Sequence, residues 1–263
     1  MASSKSAAFI CPGRWATASE VVAGSRRWLL IGNSRWHWVE SGAGGPLRYW
    51  HHMPPQGGLD GCGLEAWAAV GPVEPGWNLP ERLRFDVGRV PLEGLPPWLG
   101  IDRALAGWGA WRREQLLQPG AAVLVADAGT ALSLTRVDGG GHFRGGRLMA
   151  GFGLQLRALA AGTAALPAVP PAALAQGLWA PGSEPWPEAT AAAMATGVAQ
   201  GLAAAVRAAA QELAGSGEPT ALWLTGGDGP VLRPLLDPPP LPLRHNPDLV
   251  LAALVALSSD PDP

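Results

Sequence analysis

The sequence predicts an α/β fold in two lobes, and three observations predict it. Runs of strand type precede runs of helical period in each half of the chain. A Pro119-Gly120 break stands between the two series. In each half an apolar strand runs into a glycine turn beside a short hydroxyl residue: Gly32-Asn33-Ser34 in the first, Asp127 to Thr130 in the second. The lobes are placed at 26–118 and 119–263. Residues 1–25 are Ser/Ala-rich, carry one acid and lack the long apolar segment of a secretory signal, so they read as a disordered, dispensable extension or a mis-set start.

The first lobe opens with RRWLLI and RWHWVE, two strands around the Gly32 turn, and continues with PLRYWHH as a meander. AWAAVGPV, Ala66 to Val73, is a further strand, and the Pro-rich stretch from Pro72 to Pro97 is loop with room for one more. DRALAGWGAWRREQLL, Asp102 to Leu117, sets Leu105, Trp108 and Leu116 at helical spacing and stops at Pro119-Gly120. In the second lobe AAVLVADAGTALSLTRVDGGGHFRGGRLM gives three strands and two glycine turns. Helices follow in GFGLQLRALAAGTAAL and in the Ala-rich PEATAAAMATGVAQGLAAAVRAAAQELAG. TALWLTGGDGPVLRPLL is strand, turn and helix, and NPDLVLAALVAL is a last short helix. The repeated grammar suggests one unit used twice.

Composition narrows the function. Of 263 residues 48% are hydrophobic and 15% charged, which is enough apolar material for a core. The formal net charge of −2, without a basic run, argues against nucleic acid as partner. No apolar run approaches the roughly 18 to 20 residues that span a bilayer. Cys11 and Cys62 form neither a CxxC nor a cluster, so they read as plain thiols in a reducing compartment. The expectation is a soluble cytoplasmic protein with a small-molecule partner. The thirteen tryptophans are assigned to core and lobe packing.

The turns carry the chemistry. Alone, GNS is ordinary turn composition. Together with DAGTA and TGGDG, Thr225 to Gly229, it supplies unhindered backbone N–H groups and short hydroxyls that can converge on the phosphates of one nucleotide. Neither a GxxxxGK[ST] loop nor a GxGxxG after a strand is present. Asp102, immediately before a helical pattern, is open to two readings, helix N-cap or general base. Arg103 is either a solvated cation or a forked donor to an anionic substrate. Asp127 is either a turn former or an oxygen ligand for a hard cation. His51-His52 reads as an exposed strand end rather than a metal pair.

In order, IGNSR, GIDR, ADAGTALSL, FRGGRLMAGFGLQLRAL, TAALP, ATAAAMATGVAQGL, TGGD and NPDLVLAAL resemble type III pantothenate kinase from about Trp28 to Leu257. The resemblance implies the acetate-kinase, sugar-kinase and actin superfamily fold: two ribonuclease H-like lobes, mixed sheets with flanking helices, ATP in the cleft, usually a homodimer. It implies phosphorylation of pantothenate to 4'-phosphopantothenate by MgATP, the first step towards coenzyme A, with a monovalent cation, K+ or NH4+. By resemblance, the ATP-phosphate segment is Leu30, Ile31, Gly32, Asn33, Ser34, Arg35, Trp36 and His37, and Thr130 is the second phosphate contact. Gly100, Ile101, Asp102, Arg103 and Thr190 fall on the pantothenate site, with Asp102 as proton acceptor, and Asp127 on the monovalent-cation ligand.

Three positions depart from the resembled pattern. Leu30 stands where the family opens with Asp, Ser34 replaces Thr, and Thr135 stands where an acid is common. The first and third remove carboxylates that orient the water shell of magnesium. They motivate a competing reading, a non-catalytic regulatory protein that binds nucleotide or pantothenate. A third reading is a superfamily kinase for another hydroxy acid.

Overall fold

The structure is a computed structural model that describes residues 25–42, 45–54, 63–71, 73–169 and 184–259. Residues 1–24 of the expected extension, Cys11 and Cys62 lie outside the described residues.

Four strands, β1 (Arg26–Ile31), β2 (Trp36–Ser41), β3 (Leu47–His52) and β4 (Leu64–Ala69), form the first sheet in the order β3-β2-β1-β4. β1 runs antiparallel to β2 and parallel to β4. It is central and covered on both faces, which is why its apolar residues are continuous rather than alternating. Leu29 and Ile31 pack with Trp36, Trp38, Trp67 and Trp77 on one side. Trp28 and Leu30 pack with Val39, Ala66 and Ala68 on the other. The stretch from 73 to 97 forms no named strand; it holds three short 3-10 turns and contributes two isolated bridges, Arg84 with Trp67 and Glu93 with His142.

Helix α1 (Ile101–Leu117) leads to the second sheet, made of β5 (Ala122–Ala128), β6 (Ala131–Val137), β7 (Phe143–Ala150), β8 (Thr220–Thr225) and β9 (Leu243–His245). Its order is β7-β6-β5-β8-β9, with β8 parallel to both neighbours. Third, second, first, fourth is thus the strand order in both sheets, so the repeated grammar is a repeated topology. β9 was not expected. Helices α2 (Phe152–Gly162) and α3 (Thr190–Ala214) cover the outer face of the second sheet, where Leu156, Leu202 and Val206 meet Leu124, Leu134 and Leu222. Helix α4 (Gly229–Leu232) is one turn long and passes into a 3-10 turn at Arg233–Leu236, because Pro234 cannot donate to a continuing helix.

The last helix, α5 (Leu249–Ser259), returns to the first sheet and packs on α1, β1 and β4. Trp28 Nε1 donates to Ser258 Oγ at 2.7 Å across that contact. α1 and α5 therefore lie between the two sheets in one continuous apolar layer, which joins Trp28 and Leu30 to Leu105, Trp108, Val123, Val125 and Leu254. The three glycine turns follow β1, β5 and β8, and this layer brings them to one end of the molecule beside the start of α1.

Candidate functional site

The first turn is closed by the Gly32 N–H, which donates to Arg35 O at 2.9 Å and leaves Asn33 and Ser34 at its tip. A Cβ on Gly32 would stand 2.9 Å from that same carbonyl oxygen, so the turn needs glycine here. Asn33, Ser34 and Arg35 are exposed, whereas Leu30, Ile31 and Trp36 are core residues. Of the eight residues expected at the nucleotide phosphates, those three have side chains in the core beneath the turn. The Trp36 ring meets Trp77 edge-on at 4.6 Å. His37 lies across the strand pair from Leu30 and under the Gly32 turn. Burial pushes its pKa down to about 4, helped by His51, Arg35 and His52, so the imidazole is neutral near pH 7.

The second and third turns are interlocked. Asp228 N–H donates to Ala128 O at 2.8 Å. Gly226 has φ of 88°, and a Cβ on it would collide with the Ala128 carbonyl and with Asp127 Oδ1, so glycine is required for both conformation and space. The first and second turns meet through their hydroxyls: Ser34 Oγ and Thr130 Oγ1 are 2.7 Å apart. Burial pushes the Asp228 carboxyl up to about 6, and the positive charge of Arg35 on the first turn opposes that rise. Three turns from two sheets thus form one rim of N–H groups, hydroxyls and a single guanidinium.

Asp102 is placed beside this rim by α1. The helix N-cap is Gly100, so the N-cap reading of Asp102 is corrected: Asp102 is the second helical residue, and its Oδ1 accepts the Arg103 N–H at 2.9 Å. A Cβ on Gly100 would stand 2.5 Å from Asp102 Oδ1. Burial raises the Asp102 pKa, and the Arg103 backbone N–H and charge oppose the rise. Asp127, at the end of β5, is pushed up to about 7, first by burial and then by the negative charge of Asp102. Two carboxylates in one sheltered place, with no hydrogen-bond donor to Asp127 among the described residues, are a donor set suited to a cation. Among the described residues no group of three or more His, Cys, Asp or Glu side chains could cage a metal alone.

Thr190 is exposed at the start of α3, and among the described residues no hydrogen bond joins it to Asp102, Asp127 or the turns. Sequence reasoning missed Asp228 and treated Thr135 only as a missing acid. The TGGDG turn signalled Asp228. Nothing local signalled that Thr135, buried on β6, accepts a hydrogen bond from Arg103 Nε at 3.1 Å.

Comparison with known proteins bears on this arrangement. The family described as type III pantothenate kinase matches residues 94–212. A type III pantothenate kinase of Synechococcus elongatus is 33% identical over 260 residues, covering 90% of this chain and 100% of that one. Another from Thermosynechococcus vestitus is 37% identical over 215 residues, 79% of each chain. Among solved structures, the PilM-PilN type IV pilus biogenesis complex superposes with a TM-score of 0.52 at 14% identity, covering 90% of this chain and 99% of that one. A Campylobacter jejuni protein described as a conserved Baf family transcriptional activator gives 0.50 at 16%, covering 89% and 97%. These two likenesses concern the fold alone.

Proposed function

The chain belongs to the type III pantothenate kinase family, and from that premise we propose how its three-turn rim performs the family's reaction, the ATP-dependent phosphorylation of pantothenate on the way to coenzyme A. The observation that carries the reading is Asp102: a sheltered carboxylate at the start of α1, beside a rim of phosphate-type turns from both sheets. Asp102 accepts the proton of the primary hydroxyl as its oxygen attacks the γ-phosphorus, and the bond from that phosphorus to the β-phosphate oxygen breaks to release ADP. Backbone N–H groups of the Gly32 and Gly129 turns, with Ser34 and Thr130, hold the phosphate oxygens in line. Their hydroxyls, which hydrogen-bond each other at 2.7 Å, turn to the phosphates when ATP enters. Magnesium, when bound, neutralises the developing phosphate charge. With Leu30 in the apolar core, Asp228 is the carboxylate left on the rim that would order its waters.

Arg103 takes the pantothenate carboxylate through its forked donors. Asp127 holds a monovalent cation, K+ or NH4+, for which the raised pKa of that carboxyl is the support. Thr190 completes the pantothenate site. The protein works as a cytoplasmic homodimer; exposed Leu148, Leu154 and Trp186, on β7, α2 and just before α3, supply apolar surface for the contact. Among the described residues no helix is long and apolar enough to cross a membrane.

The test is ADP release with pantothenate, with and without K+, by the native chain and by Asp102→Asn. The expected result is turnover that needs pantothenate and falls about 100- to 10,000-fold in the variant. Nucleotide or pantothenate binding without turnover favours the regulatory reading, for which the burial of Leu30 is the supporting observation. Turnover that survives Asp102→Asn removes the base.

A further inference from the structure

Arg103 is a cation whose side-chain hydrogen-bond and ring partners are neutral, with the charge of Asp102 acting on it from nearby without an ion pair. Its Nε donates to Thr135 Oγ1 at 3.1 Å. Its guanidinium lies over the Phe143 ring, 5.9 Å from the centroid. A terminal nitrogen lies against Gly146, where any Cβ would collide with it, and Gly146 is the residue directly opposite Thr135 across β6 and β7. Gly107, one turn further along α1, lets the helix pack close to β6: a Cβ there would stand 3.2 Å from Val137 Cγ2 and in ordinary contact with the Thr135 methyl. Hydroxyl, ring face and bare backbone thus form a built seat for one guanidinium. Among the described residues Arg103 makes no ion pair, and its two terminal nitrogens make no hydrogen bond. The neighbouring carboxylate, Asp102, is oriented instead by the Arg103 backbone N–H.

We propose that Thr135 is a specificity determinant of this site: as a buried neutral acceptor it fixes the Arg103 guanidinium without cancelling its charge, so that the charge has to be met by a carboxylate of the substrate. The inference rests on the pantothenate kinase reading. A carboxylate meets both terminal nitrogens in a forked pair, the strong form of charge-assisted hydrogen bonding. A substrate with a neutral group there leaves the two terminal nitrogens of a half-buried cation without a carboxylate acceptor, and a site built for a polar partner rejects an analogue lacking it more strongly than an apolar pocket rejects a change of size. Thr135 acts through Arg103 and is a positioning residue.

The test compares binding of pantothenate and of pantothenol, whose alcohol replaces the carboxylate, by titration calorimetry. Native protein, Thr135→Val, Thr135→Ala and Thr135→Ser are measured, each checked for native folding by circular dichroism. Native protein prefers pantothenate by about 100-fold or more. Thr135→Val and Thr135→Ala each reduce that preference about tenfold, by weakening pantothenate alone, because Nε loses its acceptor. Thr135→Ser, which keeps the hydroxyl, retains the native preference. An unmoved preference in both hydroxyl-free variants, an equal loss for both ligands, or native protein that does not discriminate overturns the proposal. Parallel ADP release separates the two readings. The expected shift in preference without turnover of pantothenate defeats the kinase reading and leaves the role of Thr135 standing; turnover with an unmoved preference does the reverse.

Discussion

Asp127 is a carboxyl group that the fold makes costly to ionise. Unfolded it loses its proton near pH 4, and folded near pH 7, under burial and the charge of Asp102. Between those values the folded chain holds a proton that the unfolded chain has lost, so this group's contribution to stability falls as pH rises through the window. On the proposed reading, a monovalent cation would bind the ionised form and offset that loss. Potassium is therefore expected to raise Tm more at pH 8 than at pH 6, against choline at equal ionic strength, and Asp127→Asn abolishes the difference. A potassium shift equal at both pH values would place the ion elsewhere. The sequence made Asp127 visible as a polar residue ending an apolar strand. It did not show the raised pKa, because the burial is set by the packing and the charge responsible, Asp102, comes from a remote segment. Leu30 is the opposite case: its place beside the first turn was legible, while its neighbours Trp28, Val39 and Ala66 arrive from three strands.

α1 does two jobs, and its two ends show them. Its first turn carries Asp102 and Arg103, and its last turns are tied to the second sheet through Glu114, whose side chain is 1% exposed. Glu114 Oε2 accepts from Trp223 Nε1 on β8 at 2.9 Å, and Oε1 lies 3.5 Å from Arg244 on β9. Glu114→Leu leaves a buried indole N–H and one guanidinium without that acceptor. Arg244 is 39% exposed and can turn to water, which holds the expected loss to about 1–3 kcal/mol in urea unfolding. Glu114→Gln keeps an acceptor for Trp223 and loses less. A Leu variant as stable as the native chain would mean that the tether contributes nothing net. The helical period of α1 was plain from Leu105 and Trp108, but a charged residue inside its buried face contradicts that period. β9 was illegible for a related reason: three residues after a proline run carry too little pattern, and its pairing to β8 is decided by the sheet.

The largest feature of the molecule is one that local patterns do not encode, the shared layer between the sheets. Alternation and turns gave the strands of both lobes and the Pro119-Gly120 break, and those suggested two bodies. The packing sets α1 against both sheets and α5 against α1 and the first sheet, with Trp28 and Ala68 of the first and Val123 and Trp223 of the second in one apolar cluster. α5 follows the second sheet in sequence but completes the core of the first, and its Ser258 accepts from Trp28. Neither sheet can lose that layer without exposing the other's inner face, and such exposure costs about 25 cal/mol per Å2 of apolar surface. The two sheets are accordingly expected to unfold together, although a chain of this size often shows intermediates. Tryptophan fluorescence, weighted towards Trp28, Trp36, Trp38, Trp67 and Trp77 of the first lobe, and far-UV circular dichroism, weighted towards α1 and α3, are then expected to share one denaturant midpoint. Two separated midpoints would show that the lobes are independent and that the rim of turns is held by ligand rather than by the fold. A single midpoint means that the Asp102 end of α1 is positioned by the same core that holds the Gly32 and Gly129 turns, so the proposed site is in place before ATP binds.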